Sequence, residues 1–199
     1  MALISANTII TSLSLFHITL GYFFLTNPVI VANQSLVFVM GEAMGMPYAR
    51  SFDSQSPALA FLAVVLAFIG FADLASLSMP EEVAMVHHWG IQAPLRLTLS
   101  MILLLYTLLF SASSPLYADS RAGPRGGVFT RPRGPHPGYA PSSWGGDGLK
   151  NRVFFTFIFL ELLSWFWVWV TLREERKEID TRKAMRRRGS HGSHRDLAR

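Results

Sequence analysis

Runs of about twenty apolar residues constrain this chain more than any other feature of its sequence. Half of its 199 residues are hydrophobic and only 16% are charged. A helix needs about twenty residues to cross the ~30 Å hydrocarbon core of a bilayer. Four runs have this length, and we predict that each of them spans a membrane. The predicted spans are residues 8–25, 57–77, 91–110 and 153–172.

A fifth apolar segment lies between the first two spans and contains strongly polar residues. Val29–Met46 includes Asn33, Gln34 and Glu42. A full span is unfavourable with these residues, so we predict a helix that lies at the interface or re-enters the membrane. The predicted fold class is therefore an all-α membrane protein with four transmembrane helices and one additional interfacial or re-entrant helix.

Composition divides the chain into a membrane domain, residues 1–178, and a basic tail, residues 179–199. We expect the tail to be mostly disordered, and residues 111–151, which are rich in Gly and Pro, to form a flexible loop. The cationic residues of the tail that we expect to contact anionic lipid are Arg182, Lys183, Arg186, Arg187 and Arg188. Positive charge beside a span also favours the cytosol. With an even number of spans, both termini are predicted to be cytosolic.

The charge distribution and the missing motifs exclude several kinds of function. A net charge of +5 is compatible with nucleic-acid binding, but more than half of the 18 Lys and Arg follow the last span. We therefore predict a lipid bilayer as partner and no direct contact with nucleic acid. The chain has no cysteine, phosphate loop, dinucleotide fingerprint, HExxH motif or nucleophile elbow. We predict no catalytic residue, no metal site and no cofactor.

Two opposite charges lie just inside the second and third spans. At 1.5 Å per residue, Asp73 and Arg96 lie about 6–8 Å inside the same membrane face. A charge inside a bilayer is costly, so pairing is favourable, and we predict a structural ion pair that braces a helix hairpin. Small residues precede Asp73 on one face and allow another helix to approach closely; they are Ala60, Ala63, Ala67 and Gly70. The alternatives are a polar site for a lipid headgroup or an ion, and an Arg96 side chain that extends to the interface without a partner.

A second pair of ionisable residues, His17 and Glu161, lies near the middle of the first and fourth spans. Ionisable residues inside spans often mark ligand sites or proton relays. Alternatively, these two side chains serve helix packing through hydrogen bonds to neighbouring helices. They form a candidate intramembrane polar site.

The stretches GFADLASLSMPEE and WGIQAPLRLTLSMILLLYTLLF, within Phe68–Phe110, carry a family resemblance. With the four-span layout and the charged LREERKE exit from the last span, they resemble the fungal "increased loss of mitochondrial DNA" family of small multi-span proteins. The resemblance implies an endoplasmic-reticulum membrane protein whose loss impairs maintenance of the mitochondrial genome. It implies no enzyme activity and supplies no catalytic residues.

The leading functional hypothesis is a non-enzymatic adaptor or accessory subunit of a larger membrane complex, which affects mitochondrial DNA indirectly. One alternative is an intramembrane lipid- or sterol-binding protein, or a lipid-modifying enzyme, that uses His17, Glu161 and Asp73. A small transporter or channel subunit built on the same residues is a further alternative.

Overall fold

A computed structural model describes residues 4–80, 83–110 and 145–196, and all regular elements in these ranges are helical. A π-helical turn, Ala84–His88, leads directly into α5, and 3-10 turns occur at Arg50–Phe52 and Gly145–Leu149. The α-helices are α1 (Ala6–Thr26), α2 (Pro28–Ala32), α3 (Ser35–Ala43), α4 (Pro57–Ser76), α5 (Trp89–Leu109) and α6 (Arg152–Asp196).

Four of the described helices are long and apolar enough to cross a membrane. They are α1, α4, α5 and the first part of α6, Arg152–Ile179. Together with the shorter helices, they confirm the predicted fold class, and the chain is a membrane protein. Each span is helical because a helix satisfies its own backbone hydrogen bonds where no water is present.

Local sequence sets the ends of the first helices. Ser5 and Ser56 precede α1 and α4, and their hydroxyl groups accept hydrogen bonds from backbone N–H groups three residues later. Asn27-Pro28 ends α1, since proline lacks the N–H that would continue the helix. Pro28 then occupies the first position of α2, where that missing N–H is tolerated.

The fifth apolar segment forms two short helices with a break at Asn33–Gln34. The backbone of Gln34 is extended, with ψ of 137°. On either side of the break, Val31 and Val37 belong to the same buried cluster as Phe24 of α1. The segment therefore packs onto the spanning helices.

A glycine terminates α3. Gly45 has φ of 63°, a conformation that side chains with a Cβ rarely adopt. Its N–H bonds to the carbonyl of Glu42, and the next N–H, from Met46, bonds to the carbonyl of Gly41 at 2.8 Å. This pair of hydrogen bonds is the Schellman motif, which satisfies carbonyl groups at the end of a helix.

The antiparallel helices α1 and α4 pack closely against each other. On each helix, a stripe of buried residues recurs at spacings of three and four, a spacing typical of packed helix pairs. A Cβ on Gly21 would lie 2.7 Å from the Ala63 carbonyl oxygen, and a Cβ on Gly70 would lie 2.7 Å from that of Ser14. The stripes are Ile10, Ser14, His17, Gly21 and Phe24 on α1, and Leu59, Ala63, Leu66, Gly70 and Asp73 on α4.

The second and third spans were expected to form a helix hairpin, and the predicted close packing of these two helices is wrong. The small-residue face of α4 contacts α1, whereas α5 packs along α6. Contacts between α1 and α6 join these two pairs, so the spans lie in the order α4, α1, α6, α5. The close approach available at Gly70 is thus used by the first span, and a long side chain must connect α4 with α5.

The last helix continues beyond the membrane domain predicted from the sequence. The backbone of α6 is helical to Asp196, past the boundary at residue 179 between the membrane domain and the basic tail. The side chains of the five predicted lipid-binding cations lie outside the part of the chain that the structure describes, as do residues 111–144 of the expected flexible loop. Both the lipid contact and the flexible loop stay predictions.

Candidate functional site

The guanidinium group of Arg96 on α5 bridges to the carboxylate of Asp73 on α4. Nη1 donates to Oδ2 at 2.6 Å, and Nη2 donates to Oδ1 at 2.8 Å. The Asp73 side chain is 5% exposed and that of Arg96 is 25% exposed. Two parallel charge-assisted hydrogen bonds are among the strongest side-chain interactions. The structure therefore brings together the two charges that the sequence suggested, across helices that do not otherwise pack closely.

Two tryptophan rings lie beneath this ion pair. Trp89 at the start of α5 stacks on Trp165 of α6, with ring centroids 5.8 Å apart and planes tilted by 23°. Both side chains are fully buried. The guanidinium carbon of Arg96 lies 4.7 Å from the Trp165 centroid and 6.0 Å from that of Trp89. Such cation–π contacts stabilise by about 0.5–2 kcal/mol, with the larger values at desolvated sites.

The second predicted pair is also brought together, at the centre of the bundle. Nε2 of His17 on α1 lies 2.6 Å from Oε1 of Glu161 on α6. The other carboxylate oxygen, Oε2, accepts a 2.7 Å hydrogen bond from Nε1 of Trp165. The rings of Phe16 and Phe157 lie about 6 Å from the imidazole of His17, at 6.0 and 5.9 Å between centroids. Among the described residues, Nδ1 of His17 has no hydrogen-bond partner.

These contacts form one continuous series, which we call the intramembrane polar chain: Asp73, Arg96, Trp165, Glu161 and His17. It takes at least one side chain from each of the four spanning helices. The Asp73–Arg96 pair is neutral overall. Among the described residues, no group of three His, Cys, Asp or Glu side chains could hold a metal ion.

A further contact closes the end of the bundle where α1 begins. The backbone N–H of Ala6 donates a 3.0 Å hydrogen bond to Oε1 of Glu175 on α6. A carboxylate at this position satisfies an N–H group that the helix cannot satisfy itself and complements the positive end of the helix dipole. The start of α1 and the outer part of α6 therefore lie at the same end of the bundle.

At the opposite end, the first residue of α6 holds the end of α3. Arg152 donates from Nε to the carbonyl of Met46 at 2.9 Å and from Nη2 to Glu42 at 3.0 Å. In the following connection, the hydroxyl group of Tyr48 donates a hydrogen bond to Asp53. This hydrogen bond raises the pKa of Tyr48 above its ordinary value of 10.0.

Sequence reasoning found both ionisable pairs but missed the tryptophans that connect them. Trp165 follows Glu161 by four residues, so the two lie on one helix face, and this spacing was a usable signal. Trp89 lies at the start of α5, where a tryptophan is typical of a membrane–water boundary, but it is 0% exposed within the protein. The contact from Glu175 to α1 has no local signal, because it joins residues 169 positions apart.

Comparison with known proteins gives one match. The model of a family described as "Increased loss of mitochondrial DNA protein 1" matches residues 4–182, which include every member of the intramembrane polar chain. No curated protein and no solved structure matches this chain.

Proposed function

The chain belongs to the increased loss of mitochondrial DNA protein 1 family, and we propose that it is a non-enzymatic adaptor or accessory subunit in the endoplasmic-reticulum membrane. Membership of this family relates the protein to maintenance of mitochondrial DNA. In the proposed role it supports that process indirectly, through a larger membrane complex, and makes no contact with the genome itself.

The observation that carries this proposal is the intramembrane polar chain. Its ionisable groups contact one another across all four spans: Asp73 with Arg96, and His17 with Glu161. Groups engaged in short contacts inside a bundle fix the positions of the helices, which is what a membrane scaffold requires.

In the proposed orientation both termini face the cytosol. The contact between Ala6 and Glu175 supports placing both on one side, and the basic residues after the last span support the cytosolic side. Protease protection of a tag at each end, in intact microsomes, tests this orientation. We expect both tags to be digested without detergent. Protection of both tags would invert the orientation, and protection of one would change the number of spans.

The proposed location and the proposed complex are tested together in cells that express the tagged protein. The tagged protein should cofractionate with endoplasmic-reticulum markers, and extraction in a mild detergent should recover a reproducible set of membrane proteins. After acute depletion of the protein, these membrane proteins should dissociate from one another before the number of mitochondrial genomes falls. A mitochondrial location, or genome loss that precedes any change in the associated proteins, would contradict the proposal.

The Glu161→Gln substitution separates this proposal from an enzyme or ligand-binding role for the same residues. Gln retains an acceptor for Nε1 of Trp165 and can hydrogen-bond to His17, but it cannot ionise. We expect it to keep the thermal stability of the purified protein and to restore mitochondrial DNA in cells that lack the protein. Glu161→Leu, which leaves both partners unsatisfied, should fail in both assays. Loss of function in Glu161→Gln with normal stability would favour catalysis or ligand binding.

A further inference from the structure

A cavity of about 280 Å³ lies between α1, the α2–α3 segment and α6. Most of its lining is aliphatic or aromatic. The polar side chains at its surface are uncharged, namely Thr19 of α1, Gln34 of the helix break and Thr156 of α6. The cavity thus lies among residues of two spanning helices and accepts apolar material with at most an uncharged polar group.

An aromatic pair separates this cavity from the intramembrane polar chain. Phe16 and Phe157 line the cavity and stack on each other, with centroids 6.5 Å apart and planes tilted by 16°. Both rings also contact the ring of His17. The inner wall is therefore held in place by the residues that fix α1 against α6.

The break between α2 and α3 gives the cavity a hydrogen-bond donor, the side-chain amide of Gln34. Irregular backbone within a membrane protein is tolerated where it is buried or lines a cavity. Gln34 lies at this break, and its side-chain amide makes no hydrogen bond to another described residue. The Thr156 hydroxyl, in contrast, donates to the carbonyl of Arg152 at 2.9 Å. A ligand in the cavity can thus accept a hydrogen bond from Gln34.

We propose that this cavity binds one acyl chain of a membrane glycerolipid, whose ester carbonyl accepts a hydrogen bond from the Gln34 amide. Its volume is at the lower limit of the ~300–1,000 Å³ of ligand pockets, which suits one flexible chain better than a fused ring system. Ile30 and Leu36 at the rim are 41% and 50% exposed, so the cavity opens towards surrounding lipid. Because no charged residue lines it, the headgroup stays outside. This proposal does not depend on the adaptor role.

Photo-crosslinking tests the site in the full-length protein. The protein is placed in nanodiscs of phosphatidylcholine with a trace of a phosphatidylcholine that carries a diazirine on one acyl chain. After irradiation, labelled peptides are identified by mass spectrometry. We expect labelling to concentrate on cavity-lining residues of α1 and α6, above the level on outward-facing residues such as Phe68, which is 74% exposed.

Filling the cavity should remove this labelling. Leu160→Trp places a large ring in the cavity and should reduce labelling of its lining by about tenfold. The matched control is Leu163→Trp, on the same helix at a position that is 49% exposed, and it should label like the wild type. Equal labelling of the cavity and the outer helix faces, or unchanged labelling in a folded Leu160→Trp variant, would overturn the proposal.

A second comparison identifies the ligand and remains informative if Leu160→Trp does not fold. Wild-type protein should be labelled more strongly by a diester probe than by the matching diether probe. Gln34→Leu, at an exposed position, should fold normally and lose this preference. A sterol added to the nanodiscs should not reduce the labelling by the diester probe. A reduction by the sterol, or equal ester and ether labelling of the wild type, would overturn the assignment to a glycerolipid ester.

Discussion

The guanidinium carbon of Arg96 lies 4.7 Å from the centroid of the Trp165 ring. This contact turns two separate ion pairs into one series, because Nε1 of Trp165 also donates to Glu161. Trp165 is fully buried, so neither of its interactions competes with solvent. The ring therefore couples the α4–α5 connection to the contact between α1 and α6.

We expect Trp165 to contribute through both its N–H group and its ring. Trp165→Phe removes the donor to Glu161 and keeps a ring beneath Arg96, and the loss of a buried hydrogen-bond donor costs about 1–3 kcal/mol. Trp165→Leu also removes the cation–π contact and leaves empty volume, so it should destabilise the protein further. Thermal unfolding of both variants in one detergent measures whether Trp165→Leu is less stable than Trp165→Phe.

The control position for these two Trp165 variants is Trp167, which lies two residues further along the same helix and is 56% exposed. Trp167→Phe and Trp167→Leu should each change the free energy of unfolding by no more than about 0.5 kcal/mol. Equal effects at positions 165 and 167 would show that Trp165 contributes only as a large apolar residue.

Replacing either glycine of the α1–α4 contact should separate these helices. Gly21→Ala and Gly70→Ala each place a Cβ 2.7 Å from a backbone oxygen of the other helix, and backbone cannot move away as a side-chain end can. Overpacking of this kind costs about 1–3 kcal/mol. Gly145→Ala, whose Cβ would meet no atom within 4 Å, is the control. Wild-type melting temperatures for both Gly21→Ala and Gly70→Ala would contradict the close approach.

Deletion of residues 182–199 should weaken lipid contact without affecting folding. Lys and Arg near an anionic membrane surface contribute about 1 kcal/mol each, so copurified anionic lipid should decrease while the melting temperature stays nearly unchanged. The matched control is Arg50→Gln, which removes an exposed charge from the connection between α3 and α4. A large fall in melting temperature on deletion would show that the tail packs onto the bundle.

The number and approximate positions of the spans could be predicted from the sequence, because the length and hydropathy of a span are local properties. The helix against which each span packs could not be predicted in this way. The small face ending at Gly70 indicates close packing against some helix, but α1 and α5 are both apolar candidates. The choice depends on the shape of the opposite surface. On α1, Gly21 and Ser14 supply the matching close contacts.

The ionisable pairs were predictable for a physical reason, while their connection was not. A charge inside a membrane needs a partner, and few ionisable residues lie inside the predicted spans, so Asp73 and Arg96 have few choices. Trp165 has many possible environments, because an aromatic residue in a span can face lipid, protein or the interface. Its burial is decided by how α5 and α6 pack, which no pattern within one helix specifies.

The Asp73–Arg96 pair tests the central claim that intramembrane charges brace this bundle. Asp73→Ala and Arg96→Ala each leave the other charge without its partner. Breaking a buried pair costs about 3–5 kcal/mol, and the effect should be smaller here because Arg96 is 25% exposed. The double variant should be less damaged than the sum of the single ones. The exchange Asp73→Arg with Arg96→Asp should recover part of the loss.

The most direct measurement is a double-mutant cycle from the unfolding free energies of the wild type, Asp73→Ala, Arg96→Ala and the double variant in one detergent. We expect a favourable coupling of about 1–3 kcal/mol between the two sites. We also expect the exchange variant to melt between the wild type and the single variants. Additive effects of the single substitutions, with no recovery in the exchange variant, would contradict the structural brace.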